Sequence, residues 1–419
     1  MKNAQTFDPK RMLKALCLLV LAFVPVNMLF SPIYDSLSVE ERGANWTVTL
    51  SAFIFILTSM LLFLMALPFL RSRIEKVFIF GSVIFFTYAF IFTFYMAIDL
   101  VYPIFGLISV LGSTLTAILF YVAVRENIIS HKVVFYFLAS ASIFVAVPLL
   151  IVQIDTERFA RLSEEFGAVN ILYGYENPRA LGWASTICLS LLAGYLSTQP
   201  KERKINPIFL LLTIISSTVL FWSGSRGGVI AFALSISFVF SLSQTKNYTG
   251  LWSILLCIAA GGVISLLLYL PSGSYGIFAR ISQNLGQENI ASMSSGRTEL
   301  WHTTYSYILE RPLTGYGYLP HKNLVGFNHG SAHNIILDAW LWFGLIIGTL
   351  FILLGMMLWL KAFVFFRKIN DQYISALFCV VTTLFAYSLV SGPYARTFPL
   401  LLFAISCGTI LGLRSSRAN

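Results

Sequence analysis

Three short stretches hold the side chains best suited to act on a substrate. In Ser223-Gly224-Ser225-Arg226-Gly227-Gly228, a guanidinium stands among glycines. Glycine lets the backbone approach a ligand or a neighbouring helix closely, and exposed N–H groups in such a turn can cradle an anion beside the Arg fork. The same residues also suit a plain tight turn between two helices with a snorkelling Arg. In the second stretch, Ser295-Gly296-Arg297 opens an amphipathic helix that runs to Glu310 and is followed by the turn signal Pro312-Leu313-Thr314-Gly315-Tyr316-Gly317. Arg297 near a helix start can hold an anion together with the free N–H groups there. The third is His333-Asn334, with Asp338 and then Gly344 further on. A histidine titrates near neutral pH and can serve as a general base, although a lone histidine at an interface also suits a merely polar boundary. Ionisable groups such as Asp338 are expensive at membrane depth and point to function. Gly344 and Gly348 read as a small-xxx-small pair for close helix packing.

These stretches are held by a chain made for a bilayer. Of 419 residues 57% are hydrophobic and only 11% charged, with a mean hydropathy of +0.80. Twelve apolar runs of spanning length are expected, near 14–34, 47–70, 77–97, 103–123, 133–152, 180–197, 207–223, 227–243, 250–271, 333–360, 372–391 and 398–414. Each must be a helix, because hydrocarbon offers no partner to an unpaired backbone group. The run from 180 is barely long enough, and the pair around Gly224 shares a very short connection. The expected organisation is one integral membrane unit, 1–419, with two long loops on the same side, 153–179 and 272–332. The second contains the 297–310 helix, which lies on the surface or roofs a cavity.

The net charge of +10 looks at first like an affinity for nucleic acid. Sorting cations by side with the amino terminus inside places 18 of the 28 in the cytoplasm, as membrane insertion requires, so most of the excess is a topology signal. No nucleic-acid partner is expected. Ten of the eleven lysines fall inside, whereas nine of the ten outer cations are arginine. Arginine pairs bidentately with phosphate where lysine offers a point charge, so the bias hints at an anionic, phosphorylated ligand outside. The five cysteines lie within spans without paired or metal-type spacing and read as packing residues, and no metal site is expected.

Together these stretches resemble the O-antigen ligase and O-antigen polymerase superfamily of bacterial envelope glycosyltransferases. The resemblance also draws on Tyr173-Gly174-Tyr175-Glu176-Asn177-Pro178-Arg179, on the span count and on the large outer loop before the tenth span. It implies an all-α, GT-C-like polytopic protein of the inner membrane, with both termini cytoplasmic and the active site facing the periplasm. Such enzymes move a glycan from undecaprenyl diphosphate to a sugar hydroxyl, with no cofactor. By motif, Arg226 and Arg297 would bind the diphosphate, His333 would deprotonate the acceptor, and Arg179 and Asn334 would add substrate contacts. The partners implied are a carrier-linked glycan donor, a lipid A core acceptor and membrane lipids.

Within the superfamily, the ligase pattern has Gly, Thr or Tyr three residues after the motif glycine. Ile347 stands there, with Gly348 one place later. No outer arginine has the glycine eleven residues on that some polymerases show. Length and the late position of His333 favour ligase, with polymerase as the alternative. A lipid-linked glycan transporter also stays open, but transporter sites tend to lie near the midplane, whereas these groups gather at one face.

Overall fold

A computed structural model describes residues 8–30, 73–96, 101–166, 178–271, 275–285, 297–320, 331–392 and 397–417, with isolated positions 64, 172, 324 and 394. The expected span at 47–70 lies, apart from Leu64, outside the described residues. All fourteen regular elements among the described residues are α-helices. They are α1 (Pro9–Phe30), α2 (Arg73–Met96), α3 (Val101–Arg125), α4 (His131–Ile154), α5 (Thr156–Phe166), α6 (Pro178–Thr198) and α7 (Pro207–Trp222). Then follow α8 (Arg226–Leu242), α9 (Tyr248–Leu267), α10 (Ile277–Leu285), α11 (Arg297–Glu310), α12 (Ile335–Lys368), α13 (Gln372–Ser388) and α14 (Thr397–Ser416). Six are long and apolar enough to cross a membrane, and four more apolar helices are shorter. The chain is an all-helical polytopic membrane protein.

The helix with the barely sufficient apolar run, α6, lies at the centre. It is buried along almost its whole length, against α4, α7, α8, α9 and α13. A helix that meets protein on all sides needs no lipid-facing surface, so it can carry Ser185, Thr186, Ser190, Ser197 and Thr198. Several of these hydroxyls donate to carbonyls one turn back, as Thr186 does to Gly182 at 2.6 Å and Ser190 to Thr186 at 2.8 Å. Those hydroxyls lower its hydropathy. The outer helices show the reverse pattern: Leu256, Val263, Leu266 and Leu267 of α9 are exposed where lipid would lie.

Small residues set the closest approaches. A Cβ on Gly408 or Gly412 of α14 would collide with the backbone of Ala117 or Tyr121 on α3, and one on Gly194 of α6 with Ala376 and Cys379 on α13. All five cysteines are free and buried.

Gly344 does something other than pack helices. Its φ of 75° and ψ of 172° break α12 into 335–343 and 345–368, and the second piece is still long enough to span a bilayer. Into the break runs the turn after α11. Tyr316 N–H donates to Leu341 O at 2.8 Å, Gly317 N–H to Trp342 O at 3.0 Å, and Leu345 N–H to Pro312 O at 2.7 Å. A Cβ at Gly344 would strike the Leu313 carbonyl, so glycine is required by both the positive φ and the close approach.

Helix α11 itself is turned differently from its simplest apolar pattern. Leu300, Thr304 and Ile308 face inward, while Tyr305 and Leu309 are exposed.

Candidate active site

The turn between α7 and α8 is only three residues long, and Gly224 takes the left-handed conformation it needs, φ 70°. The N–H groups of Ser223, Gly224, Arg226 and Gly228 all donate to nearby carbonyls. The backbone therefore offers no cradle from these four positions, and any anion falls to the side chains. The glycines serve packing: a Cβ at Gly228 would collide with Thr186 on α6, and one at Gly182 with Ser225. Ser225 in turn shares a short hydrogen bond with the buried Tyr387 hydroxyl of α13. The tight-turn description holds for the glycines, and it leaves Arg226 in the first turn of α8 at the same end as Arg179 of α6.

Arg280 joins them, a residue that no motif singled out. The segment before it is pinned to the end of α7. Gly276, at φ 74°, donates to Trp222 O at 2.7 Å, and the Trp222 indole donates to Tyr269 O at 2.8 Å. Arg280 Nη1 then donates to Gly224 O at 2.9 Å, which sets the guanidinium over the arginine turn. Burial pushes Arg280 down to about 10, and the charges of Arg179, Arg226 and Arg297 push the same way. Arg297 is lowered by burial first and then by Arg179, with an opposing pull from Tyr387 and a further push from Arg226. Four guanidinium groups thus share one region around the Tyr387 hydroxyl. Among the described residues, the charges that bear on Arg280 and Arg297 come from other arginines. Like charges held together in a partly desolvated place repel strongly, so the arrangement is suited to a multiply charged anion.

His333 is presented by a hairpin of backbone at φ 56°, uncommon for a residue with a side chain. Several groups over-determine it. Its N–H donates to Ser331 Oγ at 3.3 Å, and the same hydroxyl lies 3.4 Å from Nδ1. The preceding N–H, of Ala332, donates to the fully buried Asp338 carboxylate at 2.9 Å, and the Tyr394 hydroxyl donates to the other oxygen of that carboxylate. The Trp301 indole of α11 donates to Ala332 O at 2.9 Å. Asn334 caps α12, accepting from Ile336 and Leu337 at 2.9 and 3.2 Å, while its amide donates to Leu389 O at 3.2 Å.

One short segment ties the two groups of residues together. Tyr387 reaches the arginine turn, the Leu389 carbonyl holds Asn334, and a Cβ on Gly392 would sit 3.3 Å from His333 Nδ1. Helix α11 makes a second tie, with Arg297 at its start and Trp301 on Ala332 O. Arg179, Arg226, Arg297, His333 and Asn334 therefore all belong to one end of the bundle. What motif reasoning passed over is Arg280, Tyr387 and Tyr394. Arg280 had one signal, membership in the outer arginine set; the two tyrosines lie in or beside ordinary apolar runs. Among the described residues, no three His, Cys, Asp or Glu side chains gather to hold a metal.

Residues 211–353 match the O-antigen ligase family. A stretch of 169 residues, 38% of this chain, is 25% identical to the ComP-specific O-oligosaccharyltransferase of Acinetobacter baylyi, and it spans 28% of that protein's length. The family match runs from α7 into the second piece of α12 and takes in Arg226, Arg280, Arg297, His333 and Asn334. Through that region the chain is similar to the O-antigen ligase family.

Proposed function

We propose that this protein is an O-antigen ligase of the bacterial inner membrane, multi-pass with both termini cytoplasmic, which transfers a glycan from undecaprenyl diphosphate to a sugar hydroxyl of lipid A core on the periplasmic face. The observation that carries the proposal is the gathering of four arginines at the end of the bundle that also holds the His333 hairpin. Arg226 and Arg297 take the diphosphate, with Arg280 and Arg179 completing the anionic region. His333 accepts the proton of the acceptor hydroxyl as that oxygen bonds to the anomeric carbon. The bond from that carbon to the diphosphate breaks, and the leaving group departs with its electron pair and its lipid. Arginine forks strengthen their hold as charge builds on the leaving diphosphate, so they serve binding and the transition state alike. The chemistry draws on these side chains and requires no metal. Asn334, whose amide is engaged at the head of α12 and with Leu389, supports the substrate by fixing its neighbour.

The A. baylyi relative favours a second reading of the acceptor alone. Its name specifies ComP, so the hydroxyl served by this chain can belong to a molecule other than lipid A core. A polymerase, which would use another carrier-linked repeat unit, is a further acceptor choice at the same donor site.

Purified protein reconstituted with carrier-linked glycan, and in separate vesicles supplemented with lipid A core, tests the proposal. Glycan on lipid A core is the expected product. Lengthened carrier-linked chains would assign polymerase, glycan on an added protein acceptor would assign an O-oligosaccharyltransferase, and passage of intact carrier across the bilayer would assign transport.

A further inference from the structure

The other ends of α6 and α13 meet in a second place with the makings of a binding site. Helix α6 has 21 residues, so Thr198 lies about 30 Å along the axis from Arg179. There the end of α6, the start of α4 and the start of α13 enclose a depression of about 520 Å³, a size common for small-ligand sites. Lys132 and Arg203 line it, with Asn370 and Gln372. Lys132 lies 5.6 Å above the Tyr373 ring, and the neighbouring Tyr373 and Tyr195 hydroxyls push the Arg203 guanidinium up. Both cations are therefore held in position toward the depression by a tyrosine cluster.

Two acids also border the site, and they differ. Asp371 is fully engaged: one oxygen accepts from Tyr373 N–H and Ile374 N–H at 2.8 and 3.2 Å, and the other lies 3.1 Å from His131 Nε2. Glu202 is exposed, on the same loop as Lys201 and Lys204. With Asp371 so engaged, Lys132 and Arg203 outnumber Glu202 in the depression, which favours an anion.

A further need is visible in the amides. Gln372 is 93% buried and lines the depression, yet its Oε1 has no hydrogen-bond partner. Gln199, between the lining residues Thr198 and Pro200, is in the same condition. Its Nε2 is fixed by the carbonyls of Arg203 and Lys204 at 2.9 and 3.1 Å, which settles that the oxygen is the free end. A buried acceptor without a partner calls for a donor.

We propose that this depression binds a phosphate ester that also carries N–H or O–H donors, the phosphate meeting Lys132 and Arg203 and a donor meeting the Gln372 amide oxygen. Ethanolamine and glycerol phospholipid headgroups have that chemistry, and so do soluble phosphate esters. Position favours the lipid source. The depression lies where spanning helices end, at headgroup depth, and Tyr136 in the first turns of α4 and Ile208 in the first turn of α7 are exposed apolar side chains at helix starts.

The test uses the full chain, stripped of lipid in detergent and offered equal amounts of phosphatidylethanolamine, phosphatidylglycerol and phosphatidylcholine, with retention read by native mass spectrometry. A parallel titration adds glycerol 3-phosphate to protein in phosphatidylcholine nanodiscs. Choline lipid has the phosphate but lacks the donors. Retention of the ethanolamine or glycerol lipid about tenfold above the choline lipid, abolished in Lys132→Ala/Arg203→Ala and reduced in Gln372→Met, is the expected result. Binding heat from glycerol 3-phosphate that disappears in the double variant would support the site with a soluble ligand. Equal retention of all three lipids together with no heat, or either signal unchanged in the double variant, overturns the proposal. Neither readout involves glycan transfer.

Discussion

The arginine cluster and the His333 hairpin sit at one end of the same bundle but are built on opposite plans. Around the cluster, four like charges converge from α6, α8, α10 and α11, and the Gly224 carbonyl sets the Arg280 guanidinium among them. Around His333, one side chain is served by many. Ser331, Asp338, Tyr394, Trp301, Asn334 and the Leu389 carbonyl all hold the three residues 331–333 or the cap that follows them. A diphosphate, the proposed ligand, has several oxygens, so several forks can share its charge. In the proposed reaction a proton is taken by one nitrogen at one place, which calls for tight geometry.

This contrast predicts a ranking. His333→Ala should have the largest effect, about 10²–10⁴-fold in transfer rate, with membrane insertion intact; turnover near that of the unaltered protein would break the contrast at its strongest point. Arg226→Ala and Arg297→Ala should each lower transfer by about 10²–10³-fold. Lysine at either position should recover only part of the loss, since charge returns without the fork. Asp338→Asn should come next, slowing kcat at unchanged donor KM, because it disturbs the Ala332 N–H and Tyr394 contacts without touching the anion. If it raised donor KM instead, the two regions would not be separable. The smallest effect belongs to Arg280→Ala. Donor KM should rise about tenfold, the loss of one charge-assisted hydrogen bond, while kcat holds. The thermal stabilisation of the protein by added pyrophosphate should shrink with it, and an undiminished shift would remove Arg280 from the cluster.

Much of the architecture is legible without coordinates because hydropathy reports burial in lipid directly. Helix α11 begins at Arg297 and ends at Glu310, where its charged ends and helical spacing put it. Hydropathy misleads where a helix is surrounded by protein: α6 is the most deeply enclosed span and also one of the least apolar, since its hydroxyls satisfy themselves on its own backbone. Gly344 misleads for a related reason. A glycine four residues before another in an apolar run has the same spelling whether it brings helices together or breaks one, and only the partner chain at 312–317 decides. Arg226, Arg297 and His333 stand out by their glycine and asparagine neighbours. Arg280 and Tyr387 have no such neighbours, and their place in the site comes from tertiary contacts with the Ser223–Gly228 turn.

The break at Gly344 also orders events in time. The turn at 312–317 leaves the ribosome before the helix that receives it, and its hydrogen bonds to residues 341–345 cannot form until that helix has entered the membrane. Asn334 waits longer still, for the Leu389 carbonyl at the end of α13. Because synthesis runs from the amino terminus, α6 and α8 can hold Arg179 and Arg226 in place while Arg297 and His333 are still unfixed. The end of the molecule that holds the candidate site is therefore assembled last, after most of the bundle around it already exists.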